Sequence, residues 1–150
     1  METTEIQERI ISEAGRLFAM YGIKSVTMDT LAEDMGISKR TIYESFKDKD
    51  TLLNDVIIFF QTQQHQAAIE IIENSENVVV ALFELVNGMI SMMKQVNPLF
   101  FHDIKKYHSH LYKKLTEKGD IRDHTMTCKI LSQGIEQGIF RTDINVDIVN

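Results

Sequence analysis

The sequence predicts an all-α protein, and three observations lead to that fold class. Apolar residues recur at three- and four-residue steps through most of the chain, which is the spacing of one face of a helix. One proline and seven glycines leave little room for the turns of a β architecture. Polar residues suited to capping a helix precede several of the apolar stripes. The chain is therefore expected to consist of successive helices.

The first three helices are expected to form a compact N-terminal unit. Helix 1 carries the stripe Ile6, Ile10, Ala14, Leu17, Phe18 and Tyr21. Gly22 is expected to end it in a left-handed C-cap. Thr27 is predicted to cap helix 2, which ends at Gly36, and Ser38 to cap a short helix 3 over about 39–45. Two short helices joined by a glycine-containing turn constitute a helix-turn-helix.

The remaining helices are expected to form a second unit. Asp48 is a candidate cap for a long fourth helix that ends in the polar segment 73–77 and links the units. Residues 78–96 are apolar on nearly every side, which predicts a helix surrounded by others. Asn97 and Pro98 are expected to start a sixth helix, and a final one is expected over about 109–137. The predicted domains are 1–50 and 51–150.

Composition predicts a cytoplasmic protein without a membrane partner. Cys128 is the single cysteine, so no internal disulfide is possible. The N-terminus lacks the pattern of a signal peptide, and no apolar run is expected to reach the roughly 18 residues of a membrane span. The net charge of -6 argues against non-specific coating of polyanions, although it permits a local basic face.

Such a basic face lies in the stretch ISKRTIYESFKDKDTLL, residues 37–53. Within 37–49 the cations Lys39, Arg40, Lys47 and Lys49 outnumber the anions Glu44 and Asp48. The first residues of helix 3 occupy the end of a recognition helix that usually meets base edges. The hydroxyl of Tyr43 and the two later lysines are suited to phosphates. The pattern predicts DNA binding.

Two other interpretations of this stretch are open. A run of mixed charges is more often a solvated helix face, but such a face does not require a three-helix frame to present it. The competing functional class is a helical protein-interaction module that uses a Met- and Phe-rich surface. Salt distinguishes the two, because DNA binding weakens steeply with salt whereas apolar docking hardly responds.

The string LFAMYGIKSVTMDTLAEDMGISKRTIYESFKDKDTLL also resembles the tetracycline-repressor-like (TetR) family of transcriptional regulators, and the similarity extends over residues 6–56. The resemblance implies that Tyr43 and Lys49 contact phosphates and that Lys39 and Arg40 contact bases. With the positions that often assist them, the candidate DNA-binding residues are Thr27, Ser38, Lys39, Arg40, Thr41, Tyr43, Lys47 and Lys49.

The resemblance is looser in the second half of the chain. NPLFFHDIKKYHSHLYKKL and GIEQGIFRTDIN look like the sixth and seventh helices of that family. Members usually continue for two more helices that pair with a second subunit, so the chain is expected to be cut short at its C-terminus and to dimerise in its full length. The implied function is repression at a palindromic DNA operator, relieved by a small-molecule effector.

A Met- and aromatic-rich set is the candidate effector pocket, since methionine adapts to varied apolar ligands. Its members are Phe60, Phe83, Met89, Met93, Phe100, Phe101, Tyr107 and Cys128. The competing interpretation of each is plain core packing. Neither a metal site nor a cofactor is expected, because His108 and His110 are two residues apart and do not share a helix face. The sequence contains neither a glycine-rich phosphate loop nor a nucleophile motif, so an enzyme is not predicted.

Overall fold

The computed structural model of the protein describes residues 4–117 and 124–144, and its secondary structure there is helical without a strand. The described residues form eight helices: α1 Glu5–Tyr21, α2 Met28–Met35, α3 Lys39–Ser45, α4 Lys49–Asn74, α5 Val78–Gln95, α6 Pro98–Tyr107, α7 Ser109–Glu117 and α8 His124–Glu136. The all-α prediction is confirmed. The single final helix expected over 109–137 corresponds to α7 and α8, and its middle, 118–123, lies outside the described residues.

The predicted N-caps of the helix-turn-helix are present. Thr27 and Thr30 form a capping box, in which the Thr30 N–H donates to Thr27 Oγ1 at 3.0 Å and the Thr27 N–H donates to Thr30 Oγ1 at 2.8 Å. Ser38 Oγ accepts from the Thr41 N–H at 3.1 Å. These contacts satisfy N–H groups that a helix leaves free in its first turn, and so they define where α2 and α3 begin.

The two glycines that end α1 and α2 adopt different conformations. Gly36 has φ 65° and ψ 29°, a left-handed C-cap whose N–H donates to carbonyls of the last turn of α2. Gly22 has φ 81° and ψ 157°, so the prediction of a left-handed C-cap there is wrong. An extended ψ leads the chain away from α1, and a Cβ at Gly22 would lie 2.9 Å from Leu99 Cβ. The site needs glycine for positive φ and for this close approach.

The described residues fall into two compact units, of which the first comprises those within 1–60 and 94–113. In it α1 packs against α2, α3 and α6, and α2 packs against α3. Its most buried large side chains are Ile10, Phe18, Ile23, Leu31, Ile42, Leu52, Leu53, Ile104 and Leu111. This core supports the surface of α3. The functional division into 1–50 and 51–150 stays a prediction.

The second unit comprises the described residues within 61–93 and 114–150. Gln137 Oε1 accepts from the Val78 N–H at 2.8 Å, and Gln133 Nε2 donates to the Ile72 carbonyl at 3.1 Å. Of α5 only Val78 and Ala81 are buried. The prediction that α5 is surrounded by other helices is therefore wrong for the described residues, because most of its side chains are exposed.

Helix α5 also corrects the expectation that no segment could span a membrane. By length and composition Val78–Gln95 could do so, with only 11% of it buried. Its sole charged residues are Glu84 and Lys94, which keeps its hydropathy high. One such helix is weak evidence for a membrane span, because core helices of soluble proteins satisfy the same criterion.

Candidate nucleic-acid interface

Helix α3 lies with one face in the core and the other in solvent. Ile42 and Phe46 are 0% and 3% exposed, as predicted, and they anchor the inner face. Gly36 bends the chain between α2 and α3, and the Ile37 N–H donates to the Ala32 carbonyl at 3.0 Å. With α3 fixed in this way, Lys39, Arg40 and Tyr43 are exposed on the outer face. The surface predicted to bind DNA is thus presented by a packed frame.

Lys39 forms an ion pair with a residue of the preceding helix. Its Nζ lies 2.5 Å from Asp29 Oδ2, and both side chains are about half exposed. The hydrogen bond from Lys39 to Asp29 raises the pKa of the ammonium group. Lys39 therefore stays charged, but its charge is partly neutralised by α2.

Arg40 forms a second ion pair, within α3. Its Nε donates to Glu44 Oε1 at 2.6 Å across an i, i+4 spacing. The Arg40 side chain is 85% exposed, so the pair is solvated and contributes little to stability. The guanidinium can accordingly exchange Glu44 for another acceptor at small cost.

Four hydroxyl-bearing residues belong to the same helix-turn-helix as these cations. The Oγ atoms of Ser38 and Thr41 are 2.8 Å apart, and Thr27 is held in its capping box. Tyr43 is 51% exposed, which leaves its ring and hydroxyl available at the surface. The arrangement places hydrogen-bonding groups around the N-terminal end of α3.

The start of α4 lies next in the chain. Lys47 is exposed and precedes Asp48, whose Oδ1 accepts from the N–H and hydroxyl of Thr51, each at 2.8 Å. The hydrogen bond from the Thr51 N–H, followed by that from its hydroxyl, lowers the pKa of Asp48. The predicted N-cap of α4 is confirmed. Because the Thr51 N–H already donates to Asp48, it is not available to bind a phosphate at this helix terminus.

Lys49 differs from the other cations because it is partly buried. Its Nζ donates to the Ile23 carbonyl and lies 5.8 Å from the centroid of the Phe18 ring. Desolvation lowers the pKa of its ammonium group, although Asp103 and Asp50 oppose this effect. An ammonium group has three donors, so one bond to Ile23 leaves others for a phosphate.

Sequence reasoning missed the carboxylates that pair with this surface. The i, i+4 spacing of Arg40 and Glu44 was a usable signal. The pairing of Lys39 with Asp29 depends on how α2 and α3 cross, so the sequence contains no local signal for it. The same is true of the ion pair between Arg16 and Asp34 of α2, whose atoms are 3.1 Å apart, whereas the i, i+3 pair of Arg16 with Glu13 is local to α1.

The structure separates the eight predicted effector-binding residues. Phe60, Phe100, Phe101 and Tyr107 fall in the first unit, and Phe83, Met89, Met93 and Cys128 in the second. In the first unit, Phe60 lies against Gly15 and the Lys24 ammonium lies 5.4 Å from the centroid of the Tyr107 ring. Phe100 and Phe101 contact each other edge to face. In the second unit the three residues of α5 are exposed and Cys128 is half-buried. Their role stays a prediction.

A cavity of about 650 Å³ opens in the second unit. It is lined by Ala67, Glu70, Ile71, Asn74, Ser75, Glu76, Val80 and Glu84. None of the predicted effector-binding residues is among them.

Two histidines predicted not to form a metal site lie near one carboxylate. Asp50 Oδ1 lies 2.5 Å from His108 Nδ1, and Asp50 Oδ2 lies 3.6 Å from His110 Nε2. Across residues 4–117 and 124–144, no group of three histidine, cysteine, aspartate or glutamate side chains is arranged to hold a metal ion.

Comparison with known proteins agrees with this geometry. Residues 10–56 match the family described as bacterial regulatory proteins, tetR family. The transcriptional regulator YvaF of Bacillus subtilis is 34% identical over 104 residues, which are 69% of this chain and 54% of that protein. The transcriptional repressor KstR2 of Mycolicibacterium smegmatis is 25% identical over 95% of this chain and 71% of its own length. A solved regulator from Cytophaga hutchinsonii superimposes with a TM-score of 0.77 at 23% identity, covering 95% of this chain and 73% of that one.

Together the exposed face of α3 and the matched segment define a helix-turn-helix unit of the type found in bacterial regulatory proteins. Residues 10–56 carry the match to the tetR family of bacterial regulatory proteins, and the similarity to proteins named as transcriptional regulators extends beyond that segment. The relatives' names as transcriptional regulators and repressors agree with the prediction that the protein is not an enzyme. The alignment with YvaF spans about half of that protein, so activity and partners are taken up as proposals.

Proposed function

We propose that the protein is a cytoplasmic transcriptional repressor that binds a palindromic DNA operator as a homodimer and releases it when a small-molecule effector binds. The observation that carries the proposal is the outer face of α3, where Lys39 and Arg40 are exposed at the N-terminal end of a helix anchored by Ile42 and Phe46. The names of the relatives as repressors and regulators support it.

The residues divide into two roles in this proposal. Lys39 and Arg40, with Thr41, read base edges in the major groove, because they lie at the end of α3 that such helices direct into the groove. Tyr43, Lys47 and Lys49 bind phosphates. Thr27 and Ser38 act through the caps that orient α2 and α3.

Operator binding then includes an exchange of partners. The ion pairs with Asp29 and Glu44 hold Lys39 and Arg40 in the free protein. Base-edge acceptors replace these carboxylates on DNA, and because both pairs are solvated the exchange costs little. A DNA sequence without suitable base-edge acceptors does not compensate the cost of breaking these ion pairs. The exchange therefore favours specific over non-specific binding.

In this proposal, operator binding by the dimer depends on the distance between its two recognition helices. Two recognition helices reach successive major grooves when they are about 34–36 Å apart. An effector that prefers a conformer with a different separation reduces operator affinity, and a coupling free energy of about 1–3 kcal/mol is typical. The predicted Met- and aromatic-rich residues favour an apolar effector.

The experiment that tests this function is selection of bound sequences from random duplex DNA with the full-length protein at two salt concentrations. We expect a palindrome to be enriched and its affinity to fall steeply with salt. Absence of enrichment at either salt, from a folded dimer free of ligand, would contradict the proposal and favour a protein-interaction module.

A further inference from the structure

The loop between α1 and α2 is held by two other helices of the first unit. This loop, residues 22–26, contains the peptide group that joins Ile23 to Lys24. The carbonyl of that group accepts from Lys49 Nζ, at the start of α4. Its N–H donates to Asp103 Oδ2, on α6, at 2.7 Å. One peptide group is thus bound at its two ends by opposite charges from different helices.

Asp103 is unusual because it is a buried carboxylate. It is 5% exposed and is the one charged residue among the buried polar side chains of the described residues. Desolvation works to raise its pKa, but the hydrogen bond from the Lys24 N–H and the nearby His102 outweigh it, so the pKa is lowered. The charge is therefore retained inside the unit, which is costly unless its hydrogen bonds persist.

Helix α6 is tied to the end of α1 at a second place. The Asn97 N–H donates to the Ala19 carbonyl at 2.7 Å, and Asn97 Nδ2 donates to the Met20 carbonyl at 3.0 Å. Asn97 Oδ1 also accepts from the Leu99 N–H at 2.9 Å and so caps α6. Asn97 and Asp103 together fix α6 against the segment that runs from α1 into the loop.

The loop leads directly to Thr27, the N-cap of α2. A displacement of the 23–24 peptide therefore alters the entry of the chain into the helix-turn-helix. We propose that Asp103 is a positioning residue that, opposite Lys49, clamps this peptide and so holds α2 and α3 in the orientation that binds DNA. This inference rests on the proposed function, because its consequence is measured as operator affinity.

The test compares Asp103→Ala with Asp103→Asn on the selected operator. Asn keeps an oxygen acceptor for the Lys24 N–H, whereas Ala removes it. We expect Asp103→Ala to weaken operator binding about tenfold on all duplexes, with an unchanged salt slope because no phosphate contact is lost. Asp103→Asn should stay within about threefold of the wild type. His102→Ala is the matched control, since His102 neighbours the other carboxylate oxygen, and should have no effect.

A second measurement does not depend on DNA. Hydrogen exchange of the Lys24 amide should be slow in the wild type and in Asp103→Asn, and at least tenfold faster in Asp103→Ala under conditions where the protein stays folded. A role in general stability alone would lower the melting temperature without a loss of affinity in the folded protein.

The outcomes separate the two proposals. If the wild type selects no duplex, the proposed function fails. If the wild type binds its operator and folded Asp103→Ala binds equally well, the positioning role is wrong while the function stands. Equal loss in the Asn and Ala variants, or unchanged exchange at Lys24 in Asp103→Ala, would also overturn it.

Discussion

At the scale of single residues, the free protein neutralises part of the surface with which it is proposed to bind DNA. Asp29 and Glu44 pair with the two cations at the start of α3, and both pairs are solvent-exposed. Exposed pairs of this kind are worth about 0–1 kcal/mol. They therefore hold the side chains in place without preventing their transfer to DNA.

We expect Asp29→Asn to increase non-specific DNA affinity by about two- to fivefold, because Lys39 then no longer exchanges a carboxylate for a phosphate. The measurement is a titration of scrambled duplex at fixed salt. Glu8→Gln is the matched control, since it makes the same change of charge on the exposed face of α1. An equal gain in both variants would show that only net charge matters.

Lys47 and Arg40 should respond differently to truncation. Lys47→Ala should weaken binding about equally on all duplexes and reduce the salt slope by roughly 0.9, the value for one lost phosphate contact. Arg40→Ala should instead change the preference among operator variants. Binding curves on the operator and on single-base variants, each at several salt concentrations, provide the check. An unchanged salt slope for Lys47→Ala would remove Lys47 from the phosphate-binding set.

At the scale of elements, caps and turns set the orientation of the recognition helix. Helices α2 and α3 have only 8 and 7 residues, and helices this short are marginal in isolation. Their ends are specified by Thr27, Gly36 and Ser38. The core contacts of Ile42 and Phe46 then hold α3 against the rest of the unit.

Gly36→Ala tests the turn itself. A Cβ at Gly36 meets nothing within 4 Å, so the expected cost comes from its φ of 65° alone. We expect about 1–2 kcal/mol of lost stability, measured by denaturant unfolding. Gly36→Asn should cost less, because asparagine tolerates the left-handed conformation. Equal stability of the Ala variant and the wild type would contradict the assigned turn geometry.

At the scale of the whole molecule, the first unit depends on a buried charge. The pKa of Asp103 is lowered from its ordinary value of 3.8. A group of this kind contributes stability above its unfolded pKa, and this contribution is lost as the pH falls through the folded pKa. Stability of the unit should therefore decline on the acid side of 3.8.

The corresponding prediction compares the wild type with Asp103→Asn between pH 6 and pH 2. The free energy of unfolding of the variant should fall less steeply below about pH 4, since its amide does not titrate. Urea unfolding at each pH gives the measurement. Parallel profiles for the two proteins would show that Asp103 does not carry this part of the acid sensitivity.

The sequence alone predicted the all-α fold class, the N-caps of the helices and the exposed face of α3. These features are local, because capping pairs lie three residues apart and apolar stripes repeat every three or four. The conformation of Gly22 was mispredicted since a glycine after an apolar stripe indicates where a helix ends and not the ψ with which the chain leaves it, and the close approach of Leu99 comes from far along the chain. The burial of α5 was mispredicted since composition reports how apolar a helix is and not how many neighbours it has.

By itself, then, the sequence determined that the protein is helical and which side chains its recognition helix presents. Only the tertiary structure decided how those side chains are held. The pairing of Lys39 with Asp29, and of the 23–24 peptide with Lys49 and Asp103, joins residues that are 10 to 79 positions apart. Such contacts depend on how helices cross, and no local periodicity encodes that crossing.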